Sequence, residues 1–83
     1  MSAVVELQEF TNYAVRCLCD KPDEVTVSVS DSTGTVVLLV VDCARSDLSL
    51  LIGSGGRNVN SLRQLLTAIA AKHKTRAVLV LKE

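Results

Sequence analysis

Three of the chain's four glycines fall within four positions, in the run Ile52-Gly53-Ser54-Gly55-Gly56-Arg57-Asn58. Residues without a Cβ let another backbone approach closely. A helical pattern begins at Arg57, and a helix start presents unpaired N–H groups and the positive end of its dipole. Arg57 and Asn58 add side-chain donors at the same mouth. Such a turn is suited to a phosphate group. Two well-known phosphate loops are excluded by context. A P-loop closes on Gly-Lys-Ser/Thr, whereas Gly56 is followed by Arg57-Asn58. A dinucleotide-binding turn follows a strand directly, and this one follows a helical segment. The competing reading is a tight turn between two helices with no ligand.

The remaining reactive residues point to no second chemistry. Cys17 and Cys19 diverge on a helix, and His73 is the only histidine, so a four-ligand zinc site is not expected. Cys17, Cys19 and Cys43 read as buried, unpaired thiols. No Ser/His/Asp set or carboxylate pair suggests an enzyme, and no cofactor is implied. His73 reads as a complement to a helix dipole or a residue at the core edge. Arg63, Lys72, Lys74 and Arg76 read first as solvated helix positions.

The elements that position this turn come from a chain of 83 residues, 48% apolar, which suits one small folded domain. No apolar run approaches the ~20 residues of a membrane span. The start "MSAVVELQEF" lacks a basic segment and does not read as a signal peptide. An odd number of cysteines with no export signal fits a reducing cytoplasm. Net charge is zero but divided: residues 1–56 hold three cations against eight acids, net −5, and residues 57–83 hold six cations against Glu83, net +5.

Helical spacing of Val4, Leu7, Phe10, Ala14, Cys17 and Leu18 predicts an amphipathic helix ending before Pro22. Val25, Val27 and Val29 alternate with polar residues as a half-buried strand, Asp31–Gly34 is a turn, and Val36–Val41 is a more central strand pairing antiparallel with the first. Ser46 and Asp47 open a short helix that Gly53 ends. Val59, Leu62, Leu66, Ile69 and His73 line a longer helix from Arg57 to about Lys74, and Ala77–Leu81 is a strand parallel to the second. The order α-β-β-α-α-β implies an α+β domain with helices on one face of a mixed three-stranded sheet. A four-residue turn would pair Val29 with Val36 and turn Val37, Leu39 and Val41 outward; a three-residue turn would bury that set instead. Either way an apolar strip is left on the open face.

The run "IGSGG" between two helices, within this order, resembles the Ile-Gly-x-x-Gly signature of KH domains, with Ser54 and Gly55 as the variable pair. The helix and strand ahead of the core match the bacterial type II KH arrangement. The length, the "DKPDEV" connection and the early stop after the third strand resemble the small, single-domain KhpA family. The resemblance implies one KH domain over 1–83: a helix-and-strand extension over 1–32 and a β-α-α-β core over 35–82. It implies single-stranded RNA as partner, about four nucleotides clamped with the loop on the backbone. Ile52, Gly53, Ser54, Gly55, Gly56, Arg57 and Asn58 would form the site, with bases in a groove between the two helices and the neighbouring strand. It further implies a cytoplasmic RNA chaperone or post-transcriptional regulator with a role in cell shape and division. The implied protein partner is a second copy or a larger multidomain KH-containing protein. Many KH loops carry Lys or Arg in the variable pair; Ser54-Gly55 does not, so attraction would come from Arg57 and the helix start.

Two readings follow. One is an RNA-binding module, favoured by the glycines and the +5 second half. The other is a protein-interaction module on a KH scaffold with weak or lost RNA binding, favoured by the uncharged loop and the surplus apolar strip. Phe10 and Tyr13, the only aromatics, cannot build a base-stacking platform.

Overall fold

A computed structural model of the chain describes residues 2–32 and 35–83. Helix α1 spans Ala3–Leu18, strands β1 and β2 span Thr26–Ser32 and Val36–Asp42, helices α2 and α3 span Leu48–Ile52 and Arg57–Lys72, and strand β3 spans Arg76–Leu81. Short 3₁₀ turns at Pro22–Glu24, Arg45–Asp47 and Ser54–Gly56 join them. The sheet order is β1-β2-β3, with β1 antiparallel and β3 parallel to the central β2. This is the type II KH fold.

Ser2 starts α1, its hydroxyl accepting from the Val5 N–H at 3.2 Å. The buried stripe of α1 is Leu7, Thr11 and Val15, at i, i+4 and i+8. Thr11 sits in it because its hydroxyl donates to the Leu7 carbonyl at 2.7 Å, leaving no polar atom unpaired. Phe10, Ala14 and Leu18 flank that stripe, and Cys17 is exposed, contrary to the expectation of a buried thiol. Cys19 lies one residue beyond the helix and is buried.

The β1–β2 register differs from the one a turn at Asp31–Gly34 would set. Asp31 and Ser32 continue β1, opposite Leu38 and Val37, while Thr33 and Gly34 lie outside the described residues. Val29 pairs with Leu39, not Val36, and a bulge between Val29 and Asp31 shifts the ladder by one residue. Side chains alternate with period two, so the odd-numbered residues of β2 share the face of Val27 and Val29. Val37, Leu39 and Val41 are accordingly buried beneath the helices, against Leu7, Leu51, Leu62, Leu66 and Leu79. The open face carries Leu38 beside Val78 and Val40 beside Val80, with Val78 36% and Val80 40% exposed.

Both edge strands are held by helix side chains. Gln8 Nε2 donates to the Val27 carbonyl at 2.8 Å, and Arg63 Nη2 donates to the Leu79 carbonyl at 3.2 Å. Arg63 is therefore a link between α3 and β3 and not a free surface cation. Each contact occupies an acceptor that an incoming strand could use. α1 and α3 run antiparallel: Glu6 near the start of α1 meets Lys72 and His73 at the end of α3, with Glu6 Oε1 2.9 Å from Lys72 Nζ and 2.8 Å from His73 Nε2. His73 thus serves as a tie to α1. α3 stops two residues before Lys74, which takes φ +58°; the Lys74 and Thr75 N–H groups bond the Ala71 and Ala70 carbonyls, a Schellman ending.

Candidate nucleic-acid interface

The candidate site is the junction of α2 and α3. α2 has only five residues, with Leu51 buried and Ile52 packed at the core edge. Asp47 precedes it, but neither Ser46 nor Asp47 caps it through a side chain. Asp47 is instead buried, with Oδ1 accepting the Asp20 N–H at 3.2 Å and Oδ2 the Lys21 N–H at 2.9 Å. A carboxylate in mid-chain thus fixes the strand-ward exit of α1 and, with it, where α2 begins.

Gly53 ends α2 at φ +77°, ψ 171°, an extended positive-φ conformation open essentially to glycine alone. It is not the compact left-handed conformation expected of an ordinary helix stop. A Cβ there would sit 2.8 Å from Asn58 Cγ and 2.9 Å from the Asn58 backbone nitrogen. The contact is close because Asn58 folds back over the turn, its Nδ2 donating to the Leu50 carbonyl at 2.8 Å. Asn58 therefore staples the end of α2 to the first turn of α3, and this donor is committed to the fold.

Ser54, Gly55 and Arg57 are exposed, while Gly53, Gly56, Ile52 and Asn58 are half-buried. A Cβ on Gly55 would meet nothing within 4 Å, so the tip of the turn faces open space. Gly56 is the N-cap of α3 and has no side chain to occupy the first N–H groups of the helix. The structure thus brings Ile52 to Asn58 into one tight turn whose outer surface is backbone, Ser54 and Arg57. The +5 charge of the second half does not gather there. Lys72 is paired with Glu6, Arg63 with Leu79, and Lys82 lies 3.9 Å from Asp42. Lys74 and Arg76 stand at the far end of α3, a 16-residue helix about 24 Å long. Among the described residues, no three His, Cys, Asp or Glu side chains converge in a metal-binding group. Among them, too, no helix is long and apolar enough to cross a membrane.

Residues 8–81 match the family model for the KH domain of KhpA and KhpB. The chain belongs to the KhpA/KhpB KH-domain family. It is similar to proteins named RNA-binding protein KhpA from several bacteria. That of Treponema pallidum is 39% identical over 72 residues, covering 87% of this chain and 89% of the relative. That of Borreliella burgdorferi is 35% identical over 71 residues, covering 86% and 85%. That of Chlamydia pneumoniae is 30% identical over 77 residues, covering 93% and 97%. The KhpA/KhpB match spans all three strands and both helices that flank the glycine turn, so the turn lies within the family's own domain.

Sequence reasoning placed the turn through its glycine clustering. It missed Asp47, Gln8 and Arg63 as positioning residues, because their partners are backbone groups 16 to 27 residues away. No local pattern marks such partners.

Proposed function

We propose that the protein is a non-catalytic, cytoplasmic binder of single-stranded RNA. The sugar–phosphate backbone crosses the Ser54-Gly55 tip, Arg57 and the start of α3 attract phosphate, and bases lie between α2, α3 and the neighbouring strand. The observation that carries this reading is the bare, outward-facing turn feeding a helix start that no side chain occupies, in a family whose similar members are named RNA-binding. About four nucleotides fit such a clamp. A role as RNA chaperone or post-transcriptional regulator, touching cell shape and division, is the corresponding cellular reading.

The test replaces Ser54 and Gly55 together by Asp. Ser54 is exposed and a Cβ on Gly55 meets open space, so the substitution adds charge without a packing clash. Gly55 has φ +64°, a region that Asp tolerates better than most residues. Affinity for a short single-stranded RNA should fall roughly tenfold, as two exposed like-charge contacts of up to about 1 kcal/mol each would give. Fluorescence anisotropy measures it, with circular dichroism to check the fold. Unchanged affinity in a folded variant removes the turn from the interface.

A second reading, association with another copy or with a larger KH-containing protein, is favoured by Val78 and Val80 on the open sheet face. Association would also raise the avidity of a weak RNA module, so the two readings are compatible.

A further inference from the structure

We propose that the flank of α3 beside β3 is a phosphate track, which carries an RNA strand beyond the glycine turn and ends on Lys74 and Arg76. The inference rests on the RNA-binding reading of that turn and extends its footprint past about four nucleotides. At helical spacing α3 has two unlike flanks. Asn58, Ser61, Leu62 and Leu65 turn to α1, where they line an apolar groove with Phe10 and Tyr13. Asn60, Gln64, Thr67 and Ala71, at i, i+4, i+7 and i+11, form the other flank, and all four are exposed. Two contacts set this flank beside β3. Arg63 Nη2 donates to the Leu79 carbonyl at 3.2 Å, and Thr67 and Ala71 share a depression of about 270 Å³ with Thr75, Arg76 and Ala77. The flank begins at the turn itself, since a Cβ on Gly56 would lie 3.3 Å from Asn60 Nδ2. From Arg57 to Ala71 it runs about 21 Å.

The chemistry of this flank suits a polyanion. No Asp or Glu occurs from position 48 to position 82, so α2, α3 and β3 carry no carboxylate. β1, which carries Asp31, is separated from β3 by β2. Glu6 of α1 is engaged by Lys72 and His73, and Asp42 lies 3.9 Å from Lys82 at the opposite end of β3. Cations mark the length of the track. Arg57 stands at its start. Arg63 stands midway, exposed, with one of a guanidinium's five N–H donors on Leu79. Lys74 and Arg76 are exposed at its end. There Thr75 Oγ1 is buried with no hydrogen-bond partner among the described residues, a hydroxyl that a phosphate or its bridging water would satisfy. A positive groove that follows the sugar–phosphate chain binds single strands without reading bases. The track thus supplies the attraction that the uncharged Ser54-Gly55 tip lacks.

The test measures fluorescence anisotropy of the full chain with two labelled oligouridines, at low and high salt. One is a tetranucleotide and the other is about three times the ~four nucleotides of the clamp. Wild type should bind the long oligomer more tightly and with the steeper salt slope. Lys74→Gln with Arg76→Gln should weaken binding of the long oligomer roughly tenfold at low salt, as two lost exposed ion pairs would give. Its log–log salt slope should flatten by about 1.4, at about 0.7 for each phosphate released. Ala71→Glu, which puts a carboxylate at an exposed position on the track, should weaken the long oligomer too. Both variants should bind the tetranucleotide as wild type does, with circular dichroism checking the fold. Variants that bind the long oligomer with wild-type affinity and slope, or that lose the tetranucleotide equally, would overturn the track and leave the turn in place. A wild-type protein that binds neither oligomer would overturn the RNA-binding reading, and the track with it.

Discussion

Asp47 is a buried acid whose two oxygens both accept backbone N–H groups from the chain leaving α1. Removing it strands two donors and the carboxylate's contribution together. Asp47→Ala should lower stability by about 2–3 kcal/mol, the range for lost hydrogen bonds to a charged group. Urea unfolding should show this as a lower midpoint with an unchanged slope. Asp47→Asn should recover part of the loss, because the amide keeps one acceptor oxygen. Glu6 works at the other end of α1. Hydrogen bonds from His73 and Lys72 lower its pKa from 4.5 to about 2. A depressed folded pKa means that the carboxylate's stabilisation is present above pH 4.5 and is lost as pH falls towards 2. Wild type should therefore show a decline of melting temperature across that window that Glu6→Gln shows less steeply. Equal slopes in the two proteins would remove the Glu6 contact from the acid response.

At the scale of elements, α3 shows how an ending is set by geometry as well as by residue type. Its Schellman turn needs a left-handed residue, and the chain supplies Lys74 at φ +58° where glycine is usual. Lys74→Gly should stabilise the domain by about 0.5–1 kcal/mol, since Lys74 is exposed and the substitution relieves backbone strain. Thermal unfolding followed by circular dichroism measures the gain; a lower melting temperature would contradict the assignment of this turn. Most elements are legible in local patterns: the period of the α3 core residues, the alternation before Ser30, and the continuous apolar run of β2. The parallel β2–β3 pairing follows from the two helices between them. The β1–β2 register is not legible, because the bulge between Val29 and Asp31 shifts it, and one residue of shift inverts the buried set.

At the scale of the molecule, the apolar open face of the sheet is the feature that local burial leaves unresolved. Val78 and Val80 point away from the helices, beside Leu38 and Val40. On the association reading, sedimentation equilibrium at high concentration should give a mass above the 8.9 kDa of one chain, and Val80→Lys should restore that value without loss of fold. A wild-type protein that stays at 8.9 kDa would remove self-association through this face. The charge division seen along the chain has a different fate in space. Its second-half cations disperse into ties with Glu6 and Leu79, a loose pair with Asp42, and the far end of α3, leaving Arg57 as the cation at the glycine turn.

The sequence by itself determined the order of elements, the type II KH class and the turn from Ile52 to Asn58. Those features depend on periodicity and on residue types at adjacent positions, which act over a few residues. Only the tertiary structure decided which face of β2 is buried, that Asn58 closes the turn onto Leu50, and that Asp47 anchors the exit of α1. It also decided that Arg63 and Gln8 hold the sheet edges. Each of these joins groups distant along the chain, and their meeting depends on how whole elements pack, which no local spacing encodes.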